Sequence, residues 1–141
     1  MALSITAANV VPTNPTRAKR AVIAAGVTIT AGEVLAFDSD GKAVECDANS
    51  GTALTRVPIG IAVSGGSPGQ PVFYVDNDDT LTIGATVANG VPYFTSATAG
   101  AIEELTSQAS CYTALLGYGV GTTQLQLAIS GGVYLATDPT P

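Results

Sequence analysis

The sequence predicts an all-β fold: a small sandwich or barrel built from two similar β units, with an extended N-terminal arm. Three observations predict it. Short apolar runs rich in Val, Ile and Leu alternate with Gly, Pro and Asp turn signals along most of the chain. The order of these runs repeats at a spacing of about 57 residues. Hydrophobic residues make up 46% and charged residues 11%, with no Trp and one Met, so the apolar residues are mostly small and suit closely spaced sheets. The same balance argues against disorder, which needs low hydrophobicity and high charge. A chain of 141 residues is the size of one domain.

Residues 1–20 read as the arm. Two prolines and two asparagines between Ala8 and Thr16 break any periodicity. Pro removes a backbone donor and holds the residue before it extended, so the arm is expected to pair only on meeting a partner. The β domain spans residues 21–136. Ala21–Ala25 is an apolar run ended by Gly26, and Glu33–Asp38 is a strand. Ser39-Asp40-Gly41 makes a hairpin turn, because Gly accepts the positive φ such a turn requires, and Lys42–Cys46 returns as the partner strand. Pro58–Val63 is a buried strand, Gly65–Pro71 a turn, Val72–Val75 a further strand, and Asp76–Asp79 caps it.

The second half repeats this order. Gly90–Thr95 answers the run through Phe37, and Ala99–Glu103 answers Asp40–Glu45. Leu115–Val120 matches Pro58–Val63 with Gly117 in the place of Gly60, and Leu125–Ile129 follows as Val72–Val75 did. The pseudo-repeats cover about 26–75 and 84–129, two copies of one unit, too few for a solenoid. Val133–Ala136 is a last strand, and residues 137–141 form a tail. Only Ile102–Leu116 has helical flavour, and its β-branched and Gly neighbours favour a single turn.

Composition excludes several functions. The chain has no His, so triads, Cys–His sites and the common zinc sets lack a member, and no catalytic residues are assigned. The carboxylates Asp38, Asp40, Asp76, Asp78, Asp79, Glu103 and Glu104 fall mostly on turns and strand ends, where Asp bonds the local backbone. Plain turns are the expectation there. The alternative is Ca²⁺ at Asp38–Gly41 or Asp76–Asp79, although neither stretch has a downstream bidentate Glu, and no metal residues are assigned. Gly65–Gly69 lacks a P-loop Lys, and Gly117–Gly121 reads as a glycine-rich strand rather than a dinucleotide loop. Cys46 and Cys111 are expected as buried thiols, with a disulfide or a reactive thiol as alternatives. No cofactor is expected. No run reaches roughly 18 apolar residues, so no membrane span is expected, and Met1–Ser4 does not open a signal peptide.

Net charge is −6, which disfavours direct nucleic-acid binding. The charge is uneven: Arg17, Lys19 and Arg20 are three of the five basic residues. A basic arm on an acidic body suggests docking onto an acidic surface, with a solvated flexible arm as the plain alternative.

Taken in order, Gly26–Val44, Pro58–Val63 and Pro68–Val72 resemble the small capsid decoration, or cement, proteins of tailed bacteriophages. The likeness covers roughly residues 21–130 and leaves out the arm and tail. It implies a structural virion protein made in the host cytoplasm. Such a protein sits on the outer capsid surface, often as a homotrimer, and clamps subunits of the major capsid protein. The arm would reach the capsid or a neighbour, with Arg17, Lys19 and Arg20 as charge contacts. Competing readings are another phage structural part, such as a head-fibre or tail-associated protein, and a carbohydrate- or cell-surface-binding module. Five Tyr, three Phe and no Trp leave little for stacking on sugars.

Overall fold

The computed structural model describes residues 2–104, 111–129 and 134–136. Its strands are β1 (Val10–Val11), β2 (Lys19–Val22), β3 (Val34–Phe37), β4 (Ala43–Glu45), β5 (Gly60–Ala62), β6 (Pro71–Val75) and β7 (Leu81–Ile83). There follow β8 (Pro92–Thr95), β9 (Ile102–Glu103), β10 (Cys111–Thr113), β11 (Leu115–Val120), β12 (Gln124–Leu127) and β13 (Tyr134–Ala136). The turn signals act as the sequence suggests. Between β3 and β4, Gly41 takes φ +74°, while Asp38 Oδ1 accepts the amides of Asp40 and Lys42, each at 2.9 Å.

The all-β reading and the two-unit reading of the fold both hold. One antiparallel sheet has the order β2-β6-β5-β3-β4, and the other β1-β7-β12-β11-β8-β9. With β1 set aside, each strand of the first sheet answers one strand of the second: β2 to β7, β6 to β12, β5 to β11, β3 to β8 and β4 to β9. β10 and β13 pair separately as a ribbon.

Strand alternation then builds two cores. Val34, Ala36, Ile61 and Val75 lie on one face of the five-stranded sheet. They share a buried cluster with Leu81, Ile83, Tyr93, Leu116, Leu125 and Leu127 from the inner face of the six-stranded sheet. The other face of the five-stranded sheet carries Leu35, Ala62, Val72 and Tyr74, which pack with Ile23 and Ile29 in a second cluster. β3 is therefore buried on both sides, and Val34, Leu35 and Ala36 are all 0% exposed. That is why β3 reads as a continuous apolar run rather than an alternating one. Each large aliphatic side chain buried here stabilises by roughly 1.5–3 kcal/mol.

Each sheet curls, and its two edges must be joined. The first unit closes on itself: Ile23, just past β2, bridges Ala43 of β4, and the Ala24 amide donates to Ala43 O at 3.0 Å. In the second unit the N-terminal segment makes the join. Ala2 bridges Glu103 and the Leu3 amide donates to Ile102 O at 2.9 Å, so the segment begins on β9. The Thr6 amide donates to Gly84 O at 2.8 Å, and β1 then pairs with β7 through Val10↔Ile83 and Val11↔Thr82. Leu3 and Ile5 pack against the shared core, and Val10 is buried in it.

The arm is thus extended, as expected, but the expectation that it pairs only on meeting a partner is corrected. It is already paired within its own chain, because an unjoined sheet edge leaves backbone groups without partners and Leu3, Ile5 and Val10 have apolar surface to bury. Three short 3₁₀ turns, Ala7–Asn9, Pro15–Arg17 and Ala53–Arg56, were not expected, nor were β1, β7 and β10. The centre of the stretch read as a helical turn and the whole tail lie outside the described residues; its flanks are the strands β9 and β10.

Gly84 holds the join tightly. It has φ +74°, and a Cβ there would collide with the Thr6 carbonyl. Gly90 has φ +79° and open space around it. Gly90→Ala should therefore cost only the backbone strain, roughly 1–2 kcal/mol. Gly84→Ala should cost a further 1–3 kcal/mol or so by overpacking. Chemical denaturation of the two variants measures the difference, and equal losses would show that the Thr6–Gly84 contact is dispensable.

Candidate interaction surface

The basic stretch runs from the end of the N-terminal segment into β2. Asn14 caps the Pro15–Arg17 turn, its Oδ1 accepting from the Thr16 amide at 3.1 Å and from Thr16 Oγ1 at 2.6 Å. Pro15 suits the first position of the turn, where no amide donor is needed. Arg17 is exposed and lines an open cleft of about 230 Å³ with Thr13, Asn14, Asn77, Asp78 and Asp79. Lys19 Nζ lies 2.6 Å from Asp76 Oδ2. That hydrogen bond, reinforced by the carboxylate charge, raises the ammonium pKa above its ordinary value. Both groups are well exposed, so solvent and salt screen the pair.

β2 alternates, which separates Lys19 from Arg20. Lys19 pairs with Tyr74 and shares the inward side of the strand with Ala21. Arg20 pairs with Phe73 and points outward, as do Val22 and Phe73, which are 38% and 42% exposed. The structure therefore brings Arg17 and Lys19 beside the acidic 76–79 turn of the same chain and sets Arg20 on an apolar outer rim.

In each acidic turn one carboxylate is committed to backbone amides, Asp38 in the first and Asp78 in the second. Asp78 is 5% exposed. Its Oδ2 accepts the Thr13 amide at 2.8 Å and its Oδ1 the Thr80 amide at 3.1 Å. Its own carbonyl accepts the Leu127 amide at 2.8 Å. One residue thus ties the N-terminal segment, β7 and β12 together, and its charge is answered by two donors. Among the described residues, no three His, Cys, Asp or Glu side chains gather as metal ligands would.

Cys46 and Cys111 are both buried, the first in the shared core and the second against Ala48. Burial pushes the Cys46 thiol up to about 12 and raises Cys111 as well, which keeps both protonated. Gly117 and Gly119 lie inside β11, where added Cβ atoms would strike the carbonyls of Gln126 and Ala88, so close backbone approach accounts for this motif. Sequence reasoning missed Arg56, whose guanidinium lies 4.2 Å from the Tyr112 ring centre and whose Nε donates to Ser50 O at 2.7 Å. No local pattern links residues 56 and 112, so this stacking could not be read from the chain.

Compared with protein-family models and with curated proteins, the sequence finds no match in either.

One carboxyl pair has a pH consequence. Glu45 stands half-buried beside Glu33. Burial first, then the Glu33 charge and a carboxyl–carboxyl hydrogen bond, push the Glu45 pKa from 4.5 to about 7. Between those values the folded chain holds a proton that the unfolded chain has released. This contribution to stability is fully present below the unfolded value and is lost as pH rises through about 7. Glu45→Gln keeps a hydrogen-bond donor and removes the titration. The melting temperature of Glu45→Gln should rise relative to wild type as pH goes from about 5 to about 8. Parallel curves over that range would show that the pair does not share a proton.

Proposed function

We propose that this chain is a non-enzymatic structural protein of the capsid decoration type, binding the outer surface of a phage head and stabilising it. The observation that carries the reading is the order of the three phrases at residues 26–44, 58–63 and 68–72. Within the fold these phrases form the framework of one unit: β3, its hairpin turn, β4, β5 and the turn into β6. Two supporting facts come from chemistry. A chain without His lacks the usual proton carrier. Its acidic turns hold backbone amides, with Asp38 and Asp78 as the clearest cases.

A small β body suits such a role because repetition over a lattice turns modest single-site affinity into firm attachment. The contacts proposed for the major capsid protein are Arg17 and Arg20, which stand exposed on the surface. Lys19 contributes only when a partner displaces Asp76.

The test is to mix the purified chain with undecorated heads of the phage that encodes it and to pellet the heads. Stoichiometric co-pelleting is expected, and an unbound supernatant would defeat the reading. Deleting the whole arm is a poor probe, because residues 2–11 complete the second unit and residue 19 opens β2. Arg17 and Arg20 are both exposed, so Arg17→Ala and Arg20→Ala should leave the fold intact. Each should weaken attachment by roughly five-fold, the size of one exposed charge contact. Unchanged occupancy in both would remove the basic stretch from the contact.

A further inference from the structure

We propose that the free edge of β2 takes an acidic, extended segment of a partner protein as an additional antiparallel strand. The edge is defined by the fold alone, and only the naming of the capsid as that partner rests on the reading above.

Hydrogen bonds define the edge. Arg20 is opposite Phe73 in the β2–β6 register. Phe73, however, directs its amide to Ser64 Oγ at 2.9 Å and its carbonyl to the Val63 amide at 2.8 Å, away from β2. The Ile23 amide, by contrast, donates to Gln70 O at 2.9 Å. Alternate residues of a strand turn their backbone groups to opposite edges, so Lys19, Ala21 and Ile23 face β6 while Arg20 and Val22 face outward. Among the described residues, nothing bonds the amides and carbonyls of Arg20 and Val22. The first unit closes just past them, where Ile23 bridges Ala43 and the Ala24 amide meets Ala43 O. Arg20 is exposed and Val22 is 38% exposed, so the edge is open.

The pseudo-repeat shows what such an edge holds. β7 answers β2, and its outer edge is filled. The Ile83 amide faces inward to Thr123 O, while Gly84 O accepts the Thr6 amide and Thr82 pairs with Val11 of β1. The occupant there is a short, extended, antiparallel segment. The equivalent edge of the first unit has the same alternation and no occupant among the described residues.

Charge selects the partner. Arg17, Lys19 and Arg20, three of the five basic residues, lie on or just before this edge of an acidic chain. A second copy pairing β2 against β2 would oppose these cations to their own counterparts, which is destabilising. An acidic strand meets its complement: a carboxylate opposite Arg20 and an apolar residue opposite Val22, beside the exposed Phe73. Main-chain bonds supply affinity in such an addition, and the alternate side chains supply specificity.

NMR titration of the full chain tests this with two synthetic peptides, one of alternating Glu and Val and one of alternating Lys and Val. The Glu–Val peptide should shift the Arg20 and Val22 amides, slow their hydrogen exchange, saturate at about 1 mM or below and weaken with salt. The Lys–Val peptide should leave both amides unchanged. Val22→Pro removes an edge amide without touching the β6 ladder and should weaken the Glu–Val peptide roughly five- to ten-fold. Val22→Thr keeps the amide and should bind as the wild type does. Should Val22→Pro lower the melting temperature, the exchange of the wild-type amides decides alone. Amides that stay unchanged in excess Glu–Val peptide, or that respond equally to both peptides, overturn the proposal. So does self-association of the free chain that protects Arg20 and Val22, which would give the edge to a second copy. Heads separate the two readings. A silent titration, with heads holding Val22→Pro and wild type equally, overturns the edge and leaves the capsid reading. Peptide binding without co-pelleting leaves the edge and defeats the capsid reading.

Discussion

The join between β9 and β7 is the constraint on which the second unit depends. A curled sheet with two loose edges exposes backbone amides and carbonyls and leaves its inner face partly open to water. Residues 2–11 meet both needs, with bonds at Ile102 and Gly84, strand pairing along β7, and the side chains of Leu3, Ile5 and Val10 turned to the core. Further along, Asp78 takes the Thr13 amide on one side chain oxygen and receives Leu127 on its carbonyl, so the segment is anchored at both ends of its path. Tyr93, Leu116 and Leu125 of the inner cluster are at most 1% exposed, and Leu3, Ile5 and Val10 of the joining segment pack in or against that cluster.

The two units solve the same problem differently. The first uses residues that directly follow its own edge strand, with Ile23 and Ala24 reaching Ala43. The second borrows a segment from about 80 residues earlier in the chain, a costlier loop to close but only slowly more so with length. Order along the chain then becomes interdependent. The second unit is complete only when the N-terminus has docked, and the N-terminal segment leads straight into β2 of the first unit. The cores are interdependent too, since Val34 and Ala36 of the first unit fill the cluster of the second.

Much of the architecture was legible because its signals are local. The Asp38–Gly41 turn, the apolar runs of β3, β5 and β11, and the Gly60–Gly117 match all report on nearby backbone needs. β1, β7 and β10 escaped notice because two or three residues are too few to show a period. Leu81-Thr82-Ile83 does alternate, but it follows four acidic or amide residues that read as a turn. The prolines of the arm masked the spacing of Leu3 and Ile5, whose partners lie roughly 80 to 100 residues away. The surface was less legible than the fold. Arg17, Lys19 and Arg20 look like one basic cluster in the sequence, yet strand alternation sends Lys19 and Arg20 to opposite sides, and the partner of Lys19 is Asp76. Taking β2 to start at residue 19 rather than 21 would have exposed that split.

Native-state hydrogen exchange is the most direct measurement of the central claim, because it reads each amide of the join separately. The Leu3, Thr6 and Leu127 amides all donate to backbone carbonyls in or beside the second unit. If residues 2–11 are an integral part of that unit, Leu3 and Thr6 should exchange as slowly as Leu127, through the same cooperative opening. Rapid exchange of Leu3 and Thr6 beside a protected Leu127 would contradict the account and leave the N-terminal segment a free arm.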